Sequence, residues 1–491
     1  MINSKLKLFN NPEIIFILLS LIFGPFYIFI SPPFQPPDES LHFLKSYQLA
    51  SFYNEFEITK SEIEEINSYL EMRWNTKHKI NLNTVGFFKI PKTKDSVLIN
   101  IQDIDFTVHR LELTNQISEV GINKIKLDSG LIPYIAYLPS ALGIVIGKLF
   151  NLPFIVMLYL GRFTGFMVWL IVSFFALKIM PFMKNSMLLL LLMPMTIYIA
   201  CSISYDPLTY SISFLWIATI LNIYSDTDKK VAFKDILYLF ALSFILSGCK
   251  RIYIILVLIF FIIPISRFFS RKMYFLAIGL IFIPLFATLF FPMILQTVNQ
   301  DFVITPEYII GNSFAEKSIQ QLDYIRHSPI QFLKTAFSTV FVYKLPSILN
   351  SFIGKFGWYE LSLPWIFPIY YLFLILTTGI AESETIPKFN LKNIVLFISI
   401  IFIEIIMILF VSFVLFTSWN SPRIGGGIIE GIQGRYFIPF SPLIILVISF
   451  SLSKILKIKM GKTLIKAIYY SIIFISIVSV IIIFNRYYFW G

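Results

Sequence analysis

The strongest constraint on this chain is a succession of near-continuous apolar runs. Each is about 17–25 residues long, the length a helix needs to cross the hydrocarbon core of a bilayer. Runs begin near Ile14, Ile132, Phe154, Met187, Leu208, Leu237, Ile252, Met273, Leu363, Ile394, Phe437 and Leu464, and a weaker, more amphipathic one covers Phe332 to Ile353. Backbone amides in lipid have no water to bond, so such runs fold as helices that satisfy themselves. The expected fold is all-α and integral to the membrane, a polytopic bundle of about 11–13 transmembrane helices. Composition agrees: 57% of the 491 residues are hydrophobic and 14% charged. Soluble domains run near 45–50% and about 25%, so an ordinary water-soluble enzyme is excluded. Cys201 and Cys249 lie in apolar runs and read as small buried hydrophobes. Two cysteines allow neither a disulfide scaffold nor a cysteine zinc cluster.

The charges then sort the loops. Lys and Arg number 40 against 28 Asp and Glu, a net +12. In a soluble protein that excess suggests nucleic acid; beside apolar runs it first marks the cytoplasmic side. The cluster Lys454, Lys457, Lys459, Lys462 and Lys466 sets one loop inside. Counting outward, Lys388/Lys392, Arg267/Arg271/Lys272, Lys229/Lys230/Lys234, Lys178/Lys184 and the N-terminus fall inside too. The condition is that Ile132–Phe150 adds no crossing but lies along, or dips into, the outer face; the alternative, in which it crosses and the Phe332–Ile353 run compensates, puts Lys178 and Lys184 outside. The chain then divides into an N-terminal anchor helix (1–30), a first outer loop with membrane-parallel amphipathic helices (31–152) and a set of transmembrane helices (153–296). A second outer region (297–360) and C-terminal transmembrane helices (361–491) with an outer loop at 418–435 complete it. The first run lacks a small-x-small cleavage pattern and is expected to stay as an anchor. The short basic inner loops carry no glycine-rich phosphate loop, so an ATP-driven mechanism has no place there.

Every chemically distinctive feature falls on the expected outer side. The first is Pro36-Pro37-Asp38-Glu39-Ser40-Leu41-His42-Phe43. Its plain reading is the start of a surface helix, with proline and acids in the first turn. Its functional reading uses the spacing: Asp38 and His42 are four apart, hence on one helix face. A carboxylate where membrane meets water suits a general base for an incoming hydroxyl, with Asp38 the candidate and Glu39, His42 and Asp206 expected to orient the acceptor or Asp38. Asp206, in Ser202-Ile203-Ser204-Tyr205-Asp206-Pro207, either caps the helix that Pro207 opens or joins Asp38 at the same site. Two such carboxylates divide the roles of base and orienter, or share a divalent cation, Mg or Mn.

Outer positive charges run against the topology bias. They are Lys250, Arg251, Arg423 and Arg435. Arginine grips phosphate with a bidentate fork and lysine offers a point charge. Gly425-Gly426-Gly427 leads through Glu430 to Gln433-Gly434-Arg435-Tyr436, either a mobile turn with a snorkelling arginine or a loop closing on a polar headgroup. Gln433, Arg435 and Tyr436 therefore join the candidate phosphate-binding residues. Aromatics make up 17% of the chain, mostly for lipid and packing. Phe356-Gly357-Trp358-Tyr359-Glu360 combines rings with an acid, so Trp358, Tyr359, Glu360 and Tyr205 are candidates for sugar contact, with interfacial anchoring as the alternative. Trp74, His78, Asp103, Asp105, His109 and Asp128 match no metal spacing and read as solvated loop residues.

Four stretches together resemble the bacterial multi-pass family defined only as domain of unknown function 2142. They are Pro37-Asp38-Glu39 with His42-Phe43; Tyr137-Leu138-Pro139-Ser140-Ala141-Leu142-Gly143 with Leu160-Gly161-Arg162; Ser204-Tyr205-Asp206; and Gly431-Ile432-Gln433-Gly434-Arg435-Tyr436-Phe437-Ile438-Pro439. Members of that family look like GT-C glycosyltransferases, integral-membrane enzymes that take sugars from polyprenyl-phosphate carriers. The resemblance implies a GT-C-like fold with Asp38 as base, Asp206 in the second outer turn, and Arg435-Tyr436 at the carrier phosphate. The large soluble C-terminal domain and the Trp-Trp-Asp motif of oligosaccharyltransferases are absent, which argues against protein N-glycosylation. The expected function is transfer of a sugar from a polyprenyl-phosphate donor, such as an undecaprenyl one, to a cell-envelope glycan at the outer face of a bacterial plasma membrane. Partners would be that donor, the glycan acceptor and the bilayer, with no nucleic acid. The alternatives are a lipid-linked oligosaccharide polymerase or ligase, and a polysaccharide or lipid transporter, against which the lack of paired half-repeats counts.

Overall fold

The computed structural model describes residues 11–51, 56–57, 124–125, 134–226, 228–298, 311–386, 391–418 and 424–489. The chain is mostly helical. Eight helices are long and apolar enough to cross a membrane: Pro12–Ile30, Phe154–Ile179, Asp206–Ser225, Arg271–Thr288, Ile366–Thr385, Phe397–Ser418, Gly434–Ser453 and Lys462–Tyr488. A ninth is added if Pro329–Tyr343 and Leu345–Ile353, bent by 64°, form one span. An all-α polytopic membrane architecture therefore stands, with a smaller number of full-length spans among the described residues than the sequence pattern suggested.

The shortfall has local causes. The run at Met187 is cut into Lys184–Leu191 and Pro194–Ala200, because Pro194 has no N–H to continue the ladder. The carbonyl of Leu190 that this frees accepts from the Thr196 hydroxyl at 2.9 Å instead. The run at Leu237 gives a 15-residue helix, Phe233–Ser247, that stops at Gly248. The run at Ile252 is a 12-residue 3-10 helix, Arg251–Ile262, tied to the neighbouring span where Trp216 Nε1 donates to the Leu256 carbonyl at 2.8 Å. The run at Ile132 yields a 3-10 turn, Tyr134–Tyr137, leading into the 12-residue helix Leu138–Leu149, shorter than the full spans.

Two sets of polar contacts mark the two ends of the bundle. At one end Glu13 pairs with Lys184. There too Glu382 accepts from the N–H groups and side chains of Asn185 and Ser186 at 2.7–2.9 Å, and Arg267 donates to the Ile223 carbonyl at 2.8 Å. At the other end lie Ser31, the start of helix Asp206–Ser225, and the start of the span Gly434–Ser453. Here the helix Glu39–Ala50 packs a small core of its own through Phe43, Tyr47, Ile144, Phe154, Leu158 and Ile203. Helices Leu138–Leu149 and Phe154–Ile179 cross in close contact: a Cβ on Gly143 would stand 2.3 Å from the Leu160 carbonyl oxygen. Small residues let two backbones approach in this way, and Arg162 is carried to the end where the charges gather.

Candidate functional site

Asp38 and Glu39 are adjacent in sequence and have opposite environments. Glu39, the first residue of its helix, is fully buried. Its Oε1 accepts from Arg162 Nε at 2.8 Å and the Ile203 N–H at 3.0 Å. Its Oε2 accepts from Arg162 Nη2 at 2.5 Å and the Phe34 N–H at 2.9 Å. Arg162 spends its remaining N–H groups on the carbonyls of Ile28, Ser31 and Pro32 at 2.6–3.0 Å. Buried charges are tolerated when paired and fully hydrogen-bonded. This staple joins the end of helix Pro12–Ile30, the Phe34 loop and the Ser202–Pro207 turn. Glu39 is thus a positioning residue with both oxygens engaged, and the helix it opens is no surface helix. Of the roles expected for Glu39, orienting the acceptor or orienting Asp38, direct contact with an acceptor would need a free oxygen, and both are engaged.

Asp38 stands at the helix start with φ 60°, in the left-handed region, and its side chain caps nothing. Non-glycine residues enter that region rarely, aspartate and asparagine more readily than most. Its carboxylate is 39% exposed and meets Arg435 Nη2 at 3.4 Å. Asp206, by contrast, is buried, with Lys250 Nζ 3.6 Å from Oδ1 and Arg435 Nη1 4.0 Å from Oδ2. It begins its helix without making a side-chain cap. The two expected carboxylates therefore converge on one guanidinium.

Arg435 is held from behind. Gly434 donates its N–H to Ser351 Oγ at 2.8 Å, and a Cβ there would lie 2.1 Å from Phe352 N and 2.2 Å from the Ile348 oxygen. Only glycine permits so close an approach. Tyr210 Oη donates to the Arg435 carbonyl at 3.3 Å and Tyr253 Oη to the Tyr436 carbonyl at 3.1 Å. The guanidinium rests over the rings of Tyr359 and Tyr436, 5.7 and 5.4 Å from their centroids. Lys250 Nζ sits 4.5 and 4.4 Å from the ring centroids of Tyr205 and Tyr436. Burial alone would lower the Lys250 pKa, but Asp206 and the surrounding phenols outweigh it and hold the ammonium above its ordinary value.

His42 faces the same place. Its Nδ1 is 2.7 Å from Tyr137 Oη, and its ring meets Tyr205 edge-on at 4.6 Å. Burial first, then the nearby charges of Lys45, Arg435 and Lys250, push its pKa well below the usual value, so the imidazole is neutral. Of the aromatic stretch, Tyr359 reaches the cluster, on a left-handed φ of 69°. Trp358 instead donates from Nε1 to the Phe34 carbonyl at 3.3 Å. Glu360 Oε1 accepts from Tyr487 Oη at 3.5 Å. Of the four residues expected at a sugar, Tyr205 and Tyr359 stand beside Lys250 and Arg435.

Four buried polar atoms here have no hydrogen-bond partner: Asp206 Oδ1, Lys250 Nζ, Arg435 Nε and Tyr359 Oη; Gln433 Oε1, two residues before Arg435 in the chain, is also buried without one. Buried polar groups are normally satisfied, so such a group calls for an explanation. Two cationic donors with unused N–H groups beside two phenol rings form a cradle for an anion. The fit for a divalent cation is poor. Among the described residues no three His, Cys, Asp or Glu side chains group as metal ligands. The Asp38–Asp206 gap that would seat Mg or Mn already holds the Arg435 guanidinium. Arg423, the side chain of Arg251, and Trp74, His78, Asp103, Asp105, His109 and Asp128 lie outside the described residues.

Sequence reading gave no site role to Arg162, Tyr137, Tyr210 or Tyr253. Arg162, a charge in an apolar run, and Tyr137 stood out only within the stretches that carry the family resemblance; Tyr210 and Tyr253, tyrosines being common at interfaces for other reasons, had no signal. No curated protein and no solved structure matches the chain. The family described as predicted membrane protein (DUF2142) matches over residues 21–444, a stretch holding every site residue from Asp38 to Tyr436, and the chain belongs to that family.

Proposed function

We propose that this chain is a membrane glycosyltransferase of GT-C type that moves one sugar from a polyprenyl-phosphate donor to a cell-envelope glycan. The outer face of a bacterial plasma membrane is the side that the lysine and arginine bias of the loops favours. One observation carries the reading: a half-exposed carboxylate, Asp38, stands beside a buried pair of cations whose donors, Lys250 Nζ and Arg435 Nε, lack hydrogen-bond partners. A base next to an anion cradle is what transfer from a phosphate needs.

In the proposed step Asp38 accepts the proton of the acceptor hydroxyl as its oxygen bonds to the anomeric carbon. The bond from that carbon to the phosphate oxygen breaks, and the polyprenyl phosphate leaves with the electron pair. Lys250 and Arg435 stabilise the charge gathering on that phosphate, where fixed donors in a dry site are most effective. Asp206 keeps Lys250 charged, and neutral His42, braced by Tyr137, is available to orient the acceptor. Tyr205 and Tyr359 supply ring surface for a sugar. No step passes through a metal ion.

The test uses purified protein in detergent with a single-sugar polyprenyl phosphate and an envelope glycan acceptor. Addition of one residue, lost in Asp38→Asn, supports the reading. Unchanged transfer by Asp38→Asn refutes the base, and growth of a lipid-linked chain assigns a polymerase instead.

A further inference from the structure

Resting on the phosphate reading of this cluster, we infer that Arg435 is a latch on Asp38 that the donor operates. Without an anion the guanidinium lies between Asp38 and Asp206. A phosphate bound against Lys250 draws it off Asp38 and frees that carboxylate for the acceptor.

Arg162 and Arg435 are both buried arginines facing carboxylates. Arg162 has all of its N–H groups engaged, at 2.5–3.0 Å. Arg435 reaches its two carboxylates only at 3.4 and 4.0 Å, and its Nε has no partner. Charge-assisted arginine–carboxylate bonds close at about 2.7–2.9 Å when the pair is committed. Arg435 is therefore shared, with donor capacity unspent. What would let it pivot is also present. Its backbone is fixed by Gly434, Tyr210 and Tyr253, so movement is confined to the side chain. The Tyr359 and Tyr436 rings beneath it attract a cation without directional bonds, so a swing across them breaks none. Among the described residues the Asp38 carboxylate has no partner besides Arg435. Once the guanidinium moves, the carboxylate is unpaired, and its side chain is already 39% exposed. The consequence is an order of binding: donor first, then deprotonation of the acceptor.

The experiment measures affinity rather than turnover. Farnesyl phosphate in detergent micelles, and inorganic phosphate in a parallel arm, are titrated into the full chain by calorimetry. Asp38→Asn removes the charge that competes for Arg435, and asparagine tolerates the left-handed backbone at this position; thermal unfolding confirms that the variant is folded. The expected result is about five-fold tighter farnesyl phosphate binding in Asp38→Asn, with no such gain when the same change is made in an Arg435→Gln background. Inorganic phosphate showing the same gain places the effect in the anion alone, as the latch requires. Unchanged or weaker binding in Asp38→Asn overturns the latch, as does a gain that persists without Arg435. The phosphate reading fails separately, and the latch with it, if Lys250→Ala and Arg435→Gln bind farnesyl phosphate as the wild type does.

Discussion

Glu39→Gln separates scaffold from site most sharply. The Glu39 carboxylate takes four hydrogen bonds, two from Arg162 at 2.8 and 2.5 Å and two from main-chain N–H groups at 2.9 and 3.0 Å. Glutamine keeps the length and one acceptor oxygen. Its amide nitrogen must then point at two donors, one from Arg162 and one from the main chain, whichever way it turns. The guanidinium, fully buried, stays charged with only carbonyls around it. Neutralising one partner of a buried pair costs about 3–5 kcal/mol. The surviving oxygen still accepts two bonds, which places the expected loss near the lower limit, about 3 kcal/mol. Asp38→Asn breaks one 3.4 Å contact of a half-exposed carboxylate, a change of under about 1 kcal/mol. Unfolding free energies in mixed micelles, titrated with dodecyl sulfate and followed by circular dichroism, measure both. Arg162→Lys is expected to resemble Glu39→Gln, since an ammonium offers three donors where the fork offers five. If Glu39→Gln unfolds within about 1 kcal/mol of the wild type yet abolishes transfer, Glu39 contacts substrate and the staple argument is wrong.

The glycine-rich stretch gives a paired prediction. Gly434→Ala forces a Cβ to within 2.1 Å of the Phe352 nitrogen and is expected to destabilise by about 1–3 kcal/mol. Gly427→Ala meets nothing within 4 Å and stays within about 0.5 kcal/mol of wild type; the same unfolding titration checks both. His42 gives a pH dependence. Its folded-state pKa lies well below the ordinary 6.5, through burial and then Lys45, Arg435 and Lys250. Below about pH 6.5 the unfolded chain takes a proton the native state refuses, so stability falls with decreasing pH and is complete above it. The slope contributed is at most about 1.4 kcal/mol per pH unit, and His42→Gln should remove it from unfolding curves taken between pH 5 and 7.5. A curve for His42→Gln that tracks the wild type would show that His42 takes up its proton equally in the folded and unfolded chain, and would refute the lowered pKa.

Lipid makes much of this fold legible, because an apolar run has few ways to satisfy its amides other than as a helix. Legibility fails where one local residue matters more than the average over a run. Pro194 splits the run at Met187, and the Ile252 run winds as a 3-10 helix against Trp216. In the site, the charged residues Asp38, Asp206, Lys250 and Arg435 stand out in sequence as charges at the ends of apolar runs. What sequence does not show is which of two adjacent acids serves which purpose. Asp38 has a left-handed backbone and Glu39 is the first helical residue, so their side chains leave in different directions. The guanidinium that claims Glu39 is 123 residues away. Trp358, Tyr359 and Glu360 part company for a related reason. A positive φ at Tyr359 turns its ring toward Arg435 while the flanking side chains go elsewhere.

The two arginines also bear on whether this end of the protein is only a scaffold. A group kept for stability alone should look like Arg162, with each donor matched, since an unmatched buried donor costs about 1–3 kcal/mol. Glu382, at the opposite end, obeys the same rule with four donors on its carboxylate. Single unmatched polar atoms occur elsewhere, as at Tyr27, Trp169 and Asn185, but within reach of Arg435 they gather on four connected side chains, Asp206, Lys250, Arg435 and Tyr359. Asp206 and Lys250 are 3.6 Å apart, close enough to attract and too far to hydrogen-bond. Folding has thus brought together polar atoms that do not satisfy one another. Stability gives no reason to keep that arrangement, and a bound anion with hydroxyl groups beside it would supply the missing partners. The same logic makes Asp206→Asn with Lys250→Gln informative as a double change. Removing both charges should raise stability toward that of a neutral pair while abolishing farnesyl phosphate binding. A loss of stability with binding intact would return the pair to the scaffold.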